Sequence, residues 1–292
     1  MKYKFIKATC SAFSIKEMCQ TLEVSKSGYY KYANKPKSKR DCDNDMLLNR
    51  IKDIYKDNKG RYGSPRIKAQ LNKDKMPCGK NRVARIMSSN GIKAKTRKKF
   101  RVTTDSKHNY PVAQNLLKQD FTATEINQKC VSDITYIYTQ EGWLYLAVIL
   151  DLCSRKVVGW SMGDRINKDL TIKALRQAMS RRGIRAGLIL HSDRGSQYAC
   201  HDYVHLIQAS QFIQSMSGKG NCYDNAVMES FFKTLKMELV YWENYLTRDE
   251  ARKSIFEYIE CYYNAKRMHS SLDYMSPQEF ENKMKNLPAG VY

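Results

Sequence analysis

Three carboxylates in this 292-residue chain stand out by the residues around them. Asp193 follows the short apolar run Leu188-Ile189-Leu190 and the pair His191-Ser192, and leads into Arg194-Gly195-Ser196-Gln197-Tyr198. A buried strand that halts at an acid and turns through Gly and Ser puts that acid at the strand's carboxyl end, where open α/β sheets hold their ligands. Asp133 lies inside the β-rich run Val131-Ser132-Asp133-Ile134-Thr135-Tyr136-Ile137-Tyr138. A lone carboxylate there is costly to bury unless it is paired or metal-bound. Glu229 belongs to a helical stretch in which Met228, Phe232, Leu235 and Leu239 fall on one side, while Glu229, Lys233 and Lys236 share another. Such a face can hold a metal and a phosphate chain together, and 35 residues separate Asp193 from Glu229. Three carboxylates on separate elements suit a pair of Mg2+ ions, hard cations that take oxygen ligands and stand about 3.5–4 Å apart in phosphoryl-transfer sites.

Asp133, Asp193 and Glu229, with that last spacing, resemble the D, D and E of the DDE transposases and retroviral-type integrases. The surrounding words narrow the resemblance. His191 to Tyr198, the run Ser215-Met216-Ser217-Gly218-Lys219-Gly220-Asn221-Cys222-Tyr223-Asp224-Asn225-Ala226, and Glu229-Ser230-Phe231-Phe232-Lys233-Thr234-Leu235-Lys236 are similar to the second-frame (OrfB) protein of the IS-three family of bacterial insertion sequences. So is Tyr263-Asn264-Ala265-Lys266-Arg267-Met268-His269-Ser270-Ser271-Leu272 with the later Ser276-Pro277, and the likeness runs from roughly residue 14 to 282. One position departs: the family usually has Trp three residues before its first Asp, and here Cys130 stands there.

The resemblance implies a ribonuclease H-like core and a DNA transposase, a polynucleotidyl transferase that cleaves and transfers strands at transposon ends. It implies two Mg2+ ions (Mn2+ substituting), with Asp133 bridging both, Asp193 on one and Glu229 on the other. It also implies a homo-oligomer bridging two transposon ends, and a first-frame OrfA protein as partner or as an OrfAB fusion. Two alternatives stay open. One is a ribonuclease H-like nuclease that only hydrolyses; the other is an inactive, DNA-binding remnant that represses its own element.

Charge supports a nucleic-acid partner. The net charge is +22, and its distribution is uneven: 29 Lys+Arg against 9 Asp+Glu through Tyr110, then 22 against 20. A basic first third before a nearly neutral remainder is an electrostatic footprint for a polyanion. No apolar run approaches the roughly 20 residues that span a bilayer. The start lacks a signal-peptide core, and nine cysteines without a Cys-x-x-Cys pair point to free thiols. A cytoplasmic, nucleoid-associated protein is expected.

The chain divides into five expected parts. Residues 1–34 form a helix-turn-helix-like segment with two short helices over 14–32, and 42–92 a helical DNA-binding module. Residues 93–128 are a basic arm and connector, 129–245 the catalytic core, and 246–292 a C-terminal helix and tail. The fold class is α/β: a mixed five-stranded sheet with flanking helices, preceded by small all-α modules. In the second module Met46, Leu47, Ile51, Ile54 and Tyr55 make one amphipathic face, and Ser64 with Pro65 starts a helix as N-cap and first residue. The Lys80–Ser89 helix would offer Lys80, Arg82 and Arg85 to DNA. Lys95, Arg97, Lys98, Lys99 and Arg101 read as an arm along phosphates, with Lys219, Lys233 and Lys236 as contacts near the acids. Core strands are expected over 130–139, 142–152, 156–162, 187–192 and 212–217, and helices over 168–182, 200–210 and 225–239. A last helix over 248–266 is amphipathic through Ile255, Tyr258, Ile259 and Tyr262. Among rival residues, Asp151 is expected to pair with Arg155 or cap a turn, and Asp224 to cap the Glu229 helix. His201 and His205 have a zinc-compatible spacing but no accompanying ligand word. Lys266, Arg267 and His269 are left between DNA contact and helix capping.

Overall fold

A computed structural model of the chain describes residues 1–34, 36, 38–95, 110–183, 186–218 and 221–286. It forms two compact units, Met1–Lys93 and Ala94–Tyr292.

The first unit is all helical: α1 (Lys2–Thr9), α2 (Ile15–Thr21), α3 (Lys26–Ala33), α4 (Lys39–Asp57), α5 (Ser64–Lys73) and α6 (Lys80–Ser89). The first three close on Ile6, Met18, Cys19 and Tyr29, so α1 adds a helix that the short basic start did not announce. Ser25 caps α3 by accepting from the Gly28 amide. Helix α4 opens with a Ser38–Asp41 capping box, and buries Leu47, Ile51 and Ile54 at i, i+4 and i+7. Met46, expected on that stripe, faces solvent. The start of α5 is shifted from expectation: Gly63 is the N-cap and Ser64 already helical, with no side-chain cap.

The second unit is built on β1 (Lys129–Thr139), β2 (Gly142–Asp151), β3 (Val157–Gly163), β4 (Ile189–Ser192) and β5 (Ile213–Met216), in the order β3-β2-β1-β4-β5. β1, β2 and β3 pair antiparallel, while β4 and β5 run parallel to β1. The sheet is therefore mixed and five-stranded, with three sequential strands and then a helix before each parallel strand, the ribonuclease H-like order. Helices α7 (Lys168–Arg182), α8 (Ser196–Ala199) and α9 (His201–Ala209) cover one face through a core that includes Cys130, Ala147, Ile149, Leu175 and Tyr203. Cys130, at the position where the family usually has Trp, is fully buried there. Helices α10 (Ala226–Glu238) and α11 (Arg248–Phe256) pack against β1 and β2. A last helix, α12, spans Pro277–Lys285. Among the described residues no helix is long and apolar enough to cross a membrane.

Two details show how the sheet is closed. At Gly159 in β3, a Cβ would run into the Ala174 carbonyl oxygen and stand 2.8 Å from Ala178 Cβ, so α7 seats directly on the strand backbone. Gly159→Ala is expected to cost about 2 kcal/mol or more by overpacking, a fall of roughly 5 °C in Tm. An unchanged melting curve would contradict that close approach. At the outer edge of β3, Asn264 Nδ2 donates to the Val157 carbonyl (2.9 Å) and Asn264 Oδ1 accepts from the Val157 amide (3.0 Å). The Trp160 amide donates to Gln177 Oε1 (2.8 Å). Side-chain amides thus occupy backbone groups that would otherwise pair with another strand.

The expected last helix has a different interior. It is α-helical only to Phe256 and winds as a π-helix over Glu257–Asn264. The wider turns bring Tyr258, Ile259, Tyr262, Tyr263 and Asn264 into buried positions together.

Candidate active site

Strand lengths make the site. β4 contributes only four residues, and the last parallel pair is Ser132 with Ser192. Asp133 and Asp193 are the next residue on each chain, so they leave two neighbouring backbones, about 4.8 Å apart, at the same level. Beyond that point β1 continues without β4, opening a crevice at the carboxyl end of the parallel strands. Asp193 Oδ1 accepts from the Gly195 amide (3.0 Å), and Asp133 Oδ1 accepts from the Ile134 amide (2.7 Å).

Helix α10 runs alongside the exposed part of β1. At its start the Asn225 side chain donates to the Ser132 carbonyl (3.2 Å), and near its end Lys236 Nζ stands 4.6 Å from the centre of the Tyr136 ring. Glu229 lies on the first turn between these two ties, with its side chain exposed. The electrostatics follow from this packing. Burial pushes the Asp133 carboxyl well above the usual carboxylate range, and the charge of Asp193 pushes it further, with a smaller push from Glu229. The Ile134 amide and the Lys236 ammonium pull the other way. Partial desolvation raises Glu229 even though its side chain reaches solvent, and burial lowers Lys236, the latter opposed by Asp133. The three acids and one lysine share one field. Among the described residues, no three His, Cys, Asp or Glu side chains already stand as a metal cage.

Two residues before Asp193, β4 carries a buried histidine. His191 is fully buried, its Nδ1 paired with Ser215 Oγ (2.8 Å) and its Nε2 with Ser217 Oγ (3.2 Å). Burial lowers its pKa to about 4, against a smaller opposite pull from Asp224. Between that value and the ordinary value near 6.5, the unfolded chain binds a proton that the folded one refuses. Stability is therefore undiminished above about pH 6.5 and falls as pH drops towards 4, by at most about 3 kcal/mol. Chemical denaturation at pH 7 and pH 4.5 checks this: His191→Gln should flatten the acid side of the profile.

Asp224 does not cap α10. It lies within the 3-10 turn Cys222–Asn225, and the cap position belongs to Asn225. Its carboxylate gathers the Gly218 amide (2.6 Å), Asn221 Nδ2 (2.8 Å), Asn115 Nδ2 (2.9 Å) and Gln119 Nε2 (3.1 Å). It thereby pins the connector before the core to the loop before α10, at a separation along the chain that no local pattern discloses. Asp151 is a turn cap, accepting from the Ser154 amide (2.8 Å) and Oγ (3.0 Å) and from the Asn127 amide (2.7 Å). His201 packs edge-on against Tyr110, centroids 6.1 Å apart.

Arg267 is one of the three residues, with Lys266 and His269, that sequence reasoning left undecided. Its guanidinium is buried against Glu238, the last residue of α10, with contacts of 2.8–3.1 Å to both carboxylate oxygens. The Tyr258 hydroxyl donates to the same carboxylate (2.8 Å). It clamps the catalytic-side helix to the C-terminal segment.

The basic candidates separate. Lys80 and Arg85 are exposed on α6. Arg82 is not on that open side: its Nε donates to Asn44 Oδ1 on α4 (2.9 Å), a tie between two helices of the module. Lys233 is exposed, Lys236 half-buried, and Lys95 Nζ stands 5.3 Å from the Trp242 ring centre. Arg97, Lys98, Lys99, Arg101 and Lys219 lie outside the described residues.

Comparison with known proteins gives this geometry its context. A family profile described as an integrase core domain matches residues 123–222, and a second of the same description matches 229–284, starting at Glu229. An HTH-like domain profile matches 42–100. The chain is 42% identical over 290 residues to the transposase InsF for insertion sequence IS3A of Escherichia coli (strain K12), covering 97% of this chain and 99% of the relative. The chain belongs to the IS-three (IS3) family of insertion-sequence transposases. As a transposase it is a DDE-type polynucleotidyl transferase with an integrase core. It is also 45% identical over 272 residues to the insertion element IS600 uncharacterized 31 kDa protein of Shigella sonnei, covering 93% of this chain and 100% of that one. Among solved structures, a chain of the simian T-cell lymphotropic virus intasome aligns with a TM-score of 0.49 at 16% identity, covering 77% of this chain and 72% of that chain.

Proposed function

We propose that this transposase cleaves DNA at the ends of its element and joins them to target DNA by divalent-metal-dependent phosphoryl transfer, with Asp133, Asp193 and Glu229 holding two Mg2+ ions. Mn2+ would substitute. The observation that carries the reading is structural: Asp133 and Asp193 each follow the last paired residue of two adjacent parallel strands, and Asn225 ties the start of the Glu229 helix to Ser132. A divalent cation there would offset the negative charge crowded around Asp133. The donor set fits the ion: carboxylate oxygens alone suit a hard cation such as Mg2+ rather than a thiolate- or imidazole-seeking one, and the nearby His191 is turned between two serines.

Bound ions would supply Lewis-acid stabilisation of the charge developing on a phosphodiester and make a nucleophilic oxygen more acidic. The chain's own groups prepare for that. Asn225 fixes the start of α10 to the residue before Asp133, so Glu229 approaches from a helix held at a set height. Lys236, its charge disfavoured by burial, offsets part of the acids' repulsion and gains a phosphate partner when DNA enters. Lys80 and Arg85 on α6, Lys95 and Lys233 around the core, and Arg97, Lys98, Lys99, Arg101 and Lys219 in the basic stretches would hold the phosphate backbone. A homo-oligomer would bridge two transposon ends, with a first-frame OrfA protein as partner or fused as OrfAB, in the cytoplasm beside the nucleoid.

The test is an assay on oligonucleotides carrying the element's terminal repeats with Mg2+. Joined strand-transfer products are expected. Nicked products alone would favour a nuclease that only hydrolyses, and neither product at any ion concentration would favour an inactive, DNA-binding remnant.

A further inference from the structure

The part of β1 that continues past Asp133 carries aromatic rings that the core does not use. Tyr138 is 64% exposed and Trp143, its cross-strand partner on β2, is 44% exposed. Their rings meet edge to face at 5.4 Å, and Trp143 meets Tyr136 in the same way at 5.0 Å. Cross-strand pairing accounts for that contact but not for the ring faces left in water, which an apolar core would have covered. Cations flank the row. Lys236 lies over Tyr136, and Lys95 lies over Trp242 in the turn that follows α10. The Arg248 Nε donates to the Trp143 carbonyl (3.1 Å), while its amide holds Glu141 at the hairpin tip (2.8 Å), so the acid there is occupied.

We propose that this aromatic row is a stacking subsite for unpaired bases of the DNA strand that flanks the reacting phosphodiester. Aromatic faces interleaved with lysines are the surface that tracks single-stranded nucleic acid, the rings taking bases and the cations taking phosphates. Lys236 links the row to the acids: its Nζ lies 4.6 Å from the centre of the Tyr136 ring, and its charge acts on Asp133. The inference rests on the reading of Asp133, Asp193 and Glu229 as the reacting centre. It adds that the strand beside that centre is unpaired when bound.

The experiment compares oligodeoxythymidylate with an abasic oligomer of the same length, binding each to the full-length protein at fixed salt and following fluorescence anisotropy. The abasic probe reports phosphate contacts alone, including those made by the basic first third. The unsubstituted protein should prefer the base-bearing probe, and the Tyr138→Ala/Trp143→Ala double variant should lose about five- to a hundredfold of that preference for each base unstacked. The Tyr138→Phe/Trp143→Phe pair should keep it, which separates stacking from any damage to the hairpin. No preference in the unsubstituted protein would overturn the proposal. So would equal losses with both probes, or an unchanged preference accompanied by a smaller oligomer in sedimentation. Asp193→Asn should abolish chemistry while keeping the preference. Failed strand transfer with an intact preference therefore sinks the proposed function alone, and a missing preference with intact strand transfer sinks the subsite alone.

Discussion

Asp133→Asn is expected to lower strand cleavage by about a thousandfold or more and, in the same protein, to raise the melting temperature measured without divalent ions. The two effects have one origin. Burial and the charges of Asp193 and Glu229 hold the Asp133 carboxyl well above its ordinary range, so folding disfavours its ionised form. A group whose folded pKa is raised contributes stability that is present below its unfolded pKa, near 3.9, and is lost as pH rises through the folded value. At neutral pH the metal-free protein thus carries an acid it would be more stable without. Asparagine keeps the shape and removes the charge, and a gain of about 2 °C or more in Tm is expected. Saturating Mg2+ should reverse the order, stabilising the unsubstituted protein more than the variant, because only the former keeps all three acids. A purely structural aspartate would behave oppositely, losing stability on substitution under every condition.

The second large effect is on stability. Glu238 is 7% exposed and Arg267 5% exposed, and the pair is held by contacts to both carboxylate oxygens together with the Tyr258 hydroxyl. Opposite charge around Arg267 outweighs the burial that would lower its pKa. Removing one partner leaves the other charge buried without compensation, which typically costs 3–5 kcal/mol. Glu238→Ala and Arg267→Ala are each expected in that range by urea denaturation. A Glu238→Gln/Arg267→Met double variant should lose less than the sum of its single changes. Additive losses would show that the two side chains act apart. Because Glu238 ends the helix that begins beside Glu229, the single variants should also slow strand transfer in proportion to the loosening of α10.

Much of the core was legible because it is written in local patterns. The apolar run ending at His191-Ser192 marked a strand, and β4 ends at Ser192. The β-rich run holding Asp133 and the hairpin after it are β1 and β2, and the Lys80–Ser89 stretch is α6 from end to end. That Asp133, Asp193 and Glu229 belong together was read from their resemblance to the D, D and E of the DDE transposases, because periodicity places each acid on its own element and says nothing of how the elements meet. What stayed hidden depends on partners distant in the chain. Asp224 looked like a cap because the sequence beside it is a helix start, yet its ligands come from Asn115 and Gln119. Arg267 was left between DNA contact and helix capping, and the fold instead buries it against Glu238. Arg82 was grouped with Lys80 and Arg85 as a basic residue of the same helix, but Asn44 on a neighbouring helix claimed it. The π-helix over Glu257–Asn264 shows how tertiary contacts, here Asn264 on the edge of β3 and Tyr258 on Glu238, can outweigh a helical period that reads as ordinary.

The central claim is that the three acids act together on divalent cations. Isothermal titration of Mg2+ and Mn2+ into the unsubstituted protein and into Asp133→Asn, Asp193→Asn and Glu229→Gln, alongside strand transfer at the same ion concentrations, tests it most directly. Binding by the unsubstituted protein is expected over the concentration range in which strand transfer rises, and each single substitution should remove both. Ion binding of undiminished strength in all three variants, or strand transfer that survives any one of them, would contradict the account.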